Sequence, residues 1–131
     1  MDRTRRVSKG WTKTSRWGFL GLLQAEAVDV IQADPDWCGG ISELTKICTL
    51  ASTYGRPVIP HGHSINPALQ VIAAQSPETC PMAEFIWKTQ PMKQWFHKEY
   101  VEPENGSIVL HTRPGLGVEL DDAKIERRVE I

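Results

Sequence analysis

Asp34 and His61 are the residues of this chain best suited to chemistry, with Glu84 as a third candidate. A carboxylate beside an imidazole fixes which ring nitrogen carries the proton and makes the other more basic, so the pair reads as an orienting acid and a general base. Each residue also has a plainer reading. Asp34 stands before Pro35 as a strand-end turn residue would, His61 lies in a Gly-containing loop, and Glu84 fits an outward-facing strand position. His61-Gly62-His63 adds a metal reading, because side chains at i and i+2 of a strand share a face. A closed metal site needs three or four ligands, and His97 and His111 stand far downstream with no supporting spacing.

The elements that must position these residues alternate along the chain. Trp17, Phe19, Leu20, Leu22, Leu23 and Ala27 recur at helical spacing over 16–27, and the β-branched run 28–34 reads as a buried strand ending at Asp34. Ile41, Leu44, Ile47, Leu50 and Ala51 mark a helix with Ser42 as its expected cap, closed by Gly55. A short strand over 57–61 ends at His61, a helix covers 66–75, and 82–87 is a third strand candidate containing Glu84. Connections of this length join parallel strands by crossovers, which means a doubly wound sheet or a (β/α) barrel. In both, functional residues gather at the C-terminal strand ends, where neighbouring strands are about 4.8 Å apart and Asp34 can reach His61.

Beyond Trp87 the rhythm fails. Pro91, Pro103, Asn105-Gly106, Pro114-Gly115 and Gly117 punctuate short strands such as 107–111, and the tail reads as irregular and wrapping. Gly115 and Gly117 look like a fragment of a phosphate loop, but no helix pattern opens after them, which dismisses that reading. Trp37, Trp87 and Trp95 are expected in the core or at its rim.

With 40% hydrophobic and 24% charged residues, the 131-residue chain has the composition of a folded domain with a core rather than of a disordered segment. A formal net charge of −1 gives no global reason to expect nucleic acid, and no apolar run is long enough to span a membrane. Cys38, Cys48 and Cys80 are an odd number without short paired spacing, which signals neither a disulfide framework nor a Cys-rich zinc site and fits a reducing, cytoplasmic setting. Residues 1–14 form a basic arm, expected to be solvated and poorly ordered, ahead of a domain over 15–131. The first sixteen residues carry a charge of +5, from Arg3, Arg5, Arg6, Lys9, Lys13 and Arg16 against Asp2.

Several stretches in order are familiar: Arg16-Trp17-Gly18-Phe19, Ala27 through Asp34, Trp37-Cys38-Gly39-Gly40, Pro60-His61-Gly62 and Pro114-Gly115-Leu116-Gly117-Val118-Glu119-Leu120. From about Ser15 to nearly the C-terminus they resemble the enolase superfamily, mandelate racemase and muconate lactonizing group, and within it sugar-acid dehydratases such as L-rhamnonate dehydratase. The resemblance implies an α/β fold: the C-terminal part of a (β/α)8 barrel, about three β/α units carrying strands six to eight, plus an irregular tail. It further implies His61 as the base removing the proton next to a substrate carboxylate, Asp34 orienting it, and Glu84 hydrogen-bonding the developing enolate.

Such lyases eliminate water from a sugar acid, and their full-length forms assemble as homo-oligomers. They hold the enolate with Mg²⁺ bound by carboxylates on strands three to five, none of which this chain supplies. The basic arm departs from the family too, standing where the fifth strand's end and its ligand lead into the helix. The isolated chain is therefore expected to be marginally stable, with open strand edges, and inactive alone. The alternatives are a noncatalytic remnant that docks through its open strands, or a barrel hydrolase with a His61/His63 metal site.

Overall fold

The structure, a computed structural model, describes residues 7–129. The elements follow the order β1 (Ser8–Lys9), α1 (Ser15–Gln24), β2 (Val30–Ile31), α2 (Pro35–Cys38), α3 (Gly40–Thr53), α4 (Ile65–Ala73) and α5 (Gln90–Lys93), with a 3-10 turn at Asp122–Lys124. No helix among the described residues is long and apolar enough to cross a membrane.

β1 and β2 pair in parallel, with Ser8 opposite Val30 and Lys9 opposite Ile31. β2 is continued sideways by 57–61: Ile31 donates to the Pro57 carbonyl, Ile59 to that of Ile31 and His61 to that of Ala33. Val58 donates in turn to the Thr79 carbonyl, and Gly62 meets Glu84, so the segment 79–84 runs alongside in the same sense. The chain thus lays four neighbouring segments side by side, the second, third and fourth each reached through a helical crossover: α1, then α2 and α3, then α4. This is part of a barrel wall.

Several expectations are corrected. Residues 1–6 of the basic arm lie outside the described residues, but Ser8–Lys9, in the arm expected to stand apart from the fold, form the first strand of this wall. Their outer partner is β2, whose Asp29 and Val30 amides donate to the Val7 carbonyl, and charge in the flanking residues does not prevent such backbone pairing. The expected strand at 82–87 makes no regular ladder. Pro81 has no N–H to contribute, so the segment is extended and held chiefly by side chains.

The helices pack on the outer face. Phe19 and Leu23 of α1, Leu44, Ile47, Cys48 and Ala51 of α3 and Val71 of α4 close on Val28, Ile31, Ala33 and Val58 to form the core. Arg16 clamps α1 to α3 through two hydrogen bonds from its guanidinium to Glu43, whose carboxylate also accepts the Arg16 backbone N–H. α3 begins at Gly40 rather than at a Ser42 cap, because Gly39, at φ 111°, turns the chain sharply out of α2 and serves as cap for both helices.

After Pro81 the chain wraps without regular sheet. The 107–111 strand is reduced to a single bridge between Glu104 and Ser107 around an Asn105-Gly106 turn with both φ angles positive, the geometry that Asn-Gly favours. Trp37, Trp87 and Trp95 are all exposed rather than core, with Trp87 74% accessible.

Candidate functional site

Asp34 is both things its sequence context allows. Its backbone ends the β2 segment, and its Oδ1 caps α2 by accepting the Asp36 N–H at 2.8 Å. Its Oδ2 lies 2.8 Å from His61 Nδ1. The carboxylate is completely buried, so its two oxygens are committed to these partners with no water to compete. A proton on Nδ1 donated to Asp34 leaves Nε2 as the basic nitrogen of His61.

That free nitrogen faces Glu84, whose Oε2 is 3.9 Å away. Glu84 is anchored from two sides, by the Gly62 N–H at 2.8 Å to Oε2 and by Gln32 Nε2 at 3.1 Å to Oε1. Gly62 permits this closeness, since a Cβ there would overlap the Glu84 carbonyl. Three consecutive wall segments therefore bring Asp34, His61 and Glu84 together at one end.

Three contributors to this end were not singled out from the sequence. The indole of Trp11, at the end of β1, stacks on the His61 ring with centroids 5.4 Å apart and planes 19° from parallel. Gln32, two residues before Asp34, holds Glu84. Gln90, buried at the start of α5, donates through Nε2 to the Gly62 carbonyl at 2.6 Å and pins the tail to the His61 loop. An alternating strand pattern could have flagged Gln32 as sharing the Asp34 face; nothing local marks Trp11 or Gln90.

His61 and His63 do not converge as a metal pair. Their rings are 6.2 Å apart and tilted, and His63 Nδ1 turns to Asp36 Oδ2 at 3.2 Å. Among the described residues the group able to gather around a metal ion is Asp34, Asp36 and His63, with ligand atoms within 4.8 Å of one another. This group does not fit Mg²⁺. It offers an imidazole where Mg²⁺ takes oxygens, Asp34 is already spent on His61 and the α2 cap, and the Lys93 ammonium stands 3.5 Å from Asp36. Nor does β1 bring a carboxylate to the site: Gly10-Trp11-Thr12-Lys13-Thr14 follows it.

Comparison with known proteins agrees with this geometry. Residues 5–124 match the model of the family described as enolase C-terminal domain-like. A D-galactarolactone cycloisomerase of Agrobacterium fabrum is 38% identical, over 94% of this chain and 35% of its own length. An arabinonate dehydratase of Saccharolobus solfataricus is 37% identical, over 88% of this chain and 31% of its own length. Among solved structures, an L-talarate dehydratase from Polaromonas, complexed with Mg and L-glucarate, superposes with a TM-score of 0.74 at 27% identity, covering 90% of this chain and 31% of that one. An enolase superfamily member from Salmonella Typhimurium reaches 0.81 at 28% identity, covering 92% and 31%. The chain spans about a third of the length of the curated relatives it matches. With four wall segments of a barrel, an acid and a histidine at their common end, and a family match over most of its length, this chain belongs to the enolase C-terminal domain-like family.

Proposed function

We propose that this chain carries the base end of a sugar-acid dehydratase site, with His61 as the base that removes the proton next to a substrate carboxylate. The observation that supports it is the 2.8 Å contact between His61 Nδ1 and the buried Asp34 carboxylate. Asp34 holds the imidazole in the tautomer whose Nε2 accepts a proton, and it stabilises the imidazolium that results. Glu84 faces the same nitrogen. To hydrogen-bond an enolate oxygen it must carry the proton itself, since a carboxylate can only accept.

The dyad is insufficient alone. A proton next to a carboxylate is too weakly acidic for a neutral-range base unless positive charge meets the developing enolate, and the described side chains supply no set of carboxylates suited to Mg²⁺. The isolated chain therefore positions a base without completing the reaction.

The test is an assay of the purified chain with Mg²⁺ against a panel of sugar acids, following both dehydration and exchange of the proton next to the carboxylate with solvent deuterium. No dehydration is expected. Dehydration lost in His61→Asn would overturn the reading of an incomplete site, and exchange that persists in His61→Asn would remove His61 from the role of base.

A further inference from the structure

We propose that Cys48 and Cys80 are a redox-sensitive pair that a hydroperoxide converts into an intrachain disulfide, stapling α3 to the segment that carries Glu84. Cys48 stands in the middle of α3 with its side chain in the core, and Cys80 opens the segment that ends at Glu84. Thirty-two residues separate them in sequence, yet their Sγ atoms lie 3.8 Å apart. No short spacing announces the pair, and only the packing of α3 against the barrel wall creates it.

The backbone holds both partners in place. Cys48 lies within a continuous helix, while the Cys80 N–H donates to the Ser76 carbonyl at 2.9 Å and the preceding Thr79 carbonyl accepts from Val58. Bringing the sulfurs from 3.8 Å to a bond of about 2.05 Å asks for an approach of under about 2 Å.

The two thiols are electrostatically unequal. Contact with Cys48 shifts the Cys80 thiol below the ordinary range of cysteine, whereas the same contact and burial push Cys48 above it. Cys80, 5% exposed where Cys48 has no exposed surface, is the thiol an oxidant meets first, which makes it the nucleophile and Cys48 the resolving thiol. Cys38 is placed differently: its sulfur lies against the Gly40 carbonyl, while Cys48 and Cys80 touch each other.

The chemistry balances with hydrogen peroxide as oxidant. The Cys80 thiolate attacks one peroxide oxygen, breaking the O–O bond to give a sulfenic acid and hydroxide, which takes up a proton to become water. The Cys48 sulfur then attacks the Cys80 sulfur, forming the S–S bond; the sulfenic hydroxyl leaves with the Cys48 proton as a second water. Two thiols are oxidised and one peroxide is reduced. Cys80, 5% exposed, admits an oxidant of this size more readily than a bulky disulfide.

The experiment uses the reduced, purified chain treated with hydrogen peroxide, then intact-mass and peptide mass spectrometry after blocking of remaining thiols under denaturing conditions. The expected product is lighter by two hydrogens before blocking, retains one blockable thiol at Cys38, and yields a linked peptide joining Cys48 to Cys80. Hydrogen exchange over 79–86 slows in the oxidised form, and dithiothreitol reverses both changes. Cys38→Ser leaves the linkage intact; Cys80→Ser abolishes it. Three blockable thiols after treatment, a linkage that includes Cys38, or oxygen added to Cys80 without a linkage would each overturn the proposal. These outcomes are read from the wild-type chain, so a variant that fails to fold leaves the answer intact, and none depends on the role of His61.

Discussion

The wall of strands and helices up to Cys80 and the wrapping tail beyond it are held together by different forces. Among the described residues the hydrophobic core runs from Phe19 to Cys80. Past that point the enclosed side chains among the described residues are two amides, Gln90 and Gln94, each 2% exposed. Gln94 takes the Val101 N–H at 2.6 Å, returns a hydrogen bond to the Val101 carbonyl and reaches Gln90, which in turn holds the carbonyls of Gly62 and His63. Burial of apolar area is non-directional and tolerates small shifts, while a chain of buried amides holds only if every partner is present. The first region can thus fold on its helix faces, whereas the second takes its shape from the loop that carries His61.

The sharpest test of this difference removes core volume. Leu44→Ala, at a site with no exposed surface, is expected to cost about 3 kcal/mol in denaturant unfolding, whereas Val109→Ala in the tail, 84% exposed, should stay within about 0.5 kcal/mol. Comparable losses would erase the distinction. Next in size is Gln94→Ala, which strands the Val101 N–H and carbonyl and is expected to cost about 1–2 kcal/mol. Hydrogen exchange should place that loss in the tail, with Val101 accelerated well before α3; a uniform acceleration would mean that the two regions unfold as one unit.

The smallest effect is a pH dependence confined to the tail. Burial, helped by the charge of Lys124, holds His97 below its ordinary value of 6.5, and its Nδ1 is enclosed without a partner. The unfolded chain therefore takes up this proton at a higher pH than the folded one does. Above 6.5 the residue costs nothing; as the pH falls below that value the folded form loses stability until its own His97 titrates. Melting midpoints measured between pH 7.5 and 5.5 should fall less steeply in His97→Phe than in the unaltered chain, and parallel slopes would remove His97 from the account.

Much of the wall was legible because its signals are local. The 41–51 apolar period names the face of α3 that closes on the strands, the β-branched run before Asp34 names a buried strand, and Asp34-Pro35 names its end. The misread portions have separate causes. β1 pairs through backbone atoms that side-chain chemistry does not advertise, so a run of Arg and Lys concealed a strand. The 82–87 segment has the composition of a strand, yet Pro81 and the side-chain anchoring of Glu84 leave it without a ladder. For tryptophans 37, 87 and 95 size allows either core or rim, and their exposure rules out the core.

For the candidate site, residue types and order along the chain were enough to place Asp34, His61 and Glu84 at neighbouring segment ends, because strand ends in parallel folds converge. Contact was decided elsewhere. That Asp34 spends one oxygen on a helix cap and the other on His61, that Trp11 lies against the imidazole, that His63 turns to Asp36, and that Cys48 meets Cys80 all depend on distances of a few ångströms between segments far apart in sequence. Periodicity specifies which face of an element is buried; which side chain it meets there is settled only when the faces pack.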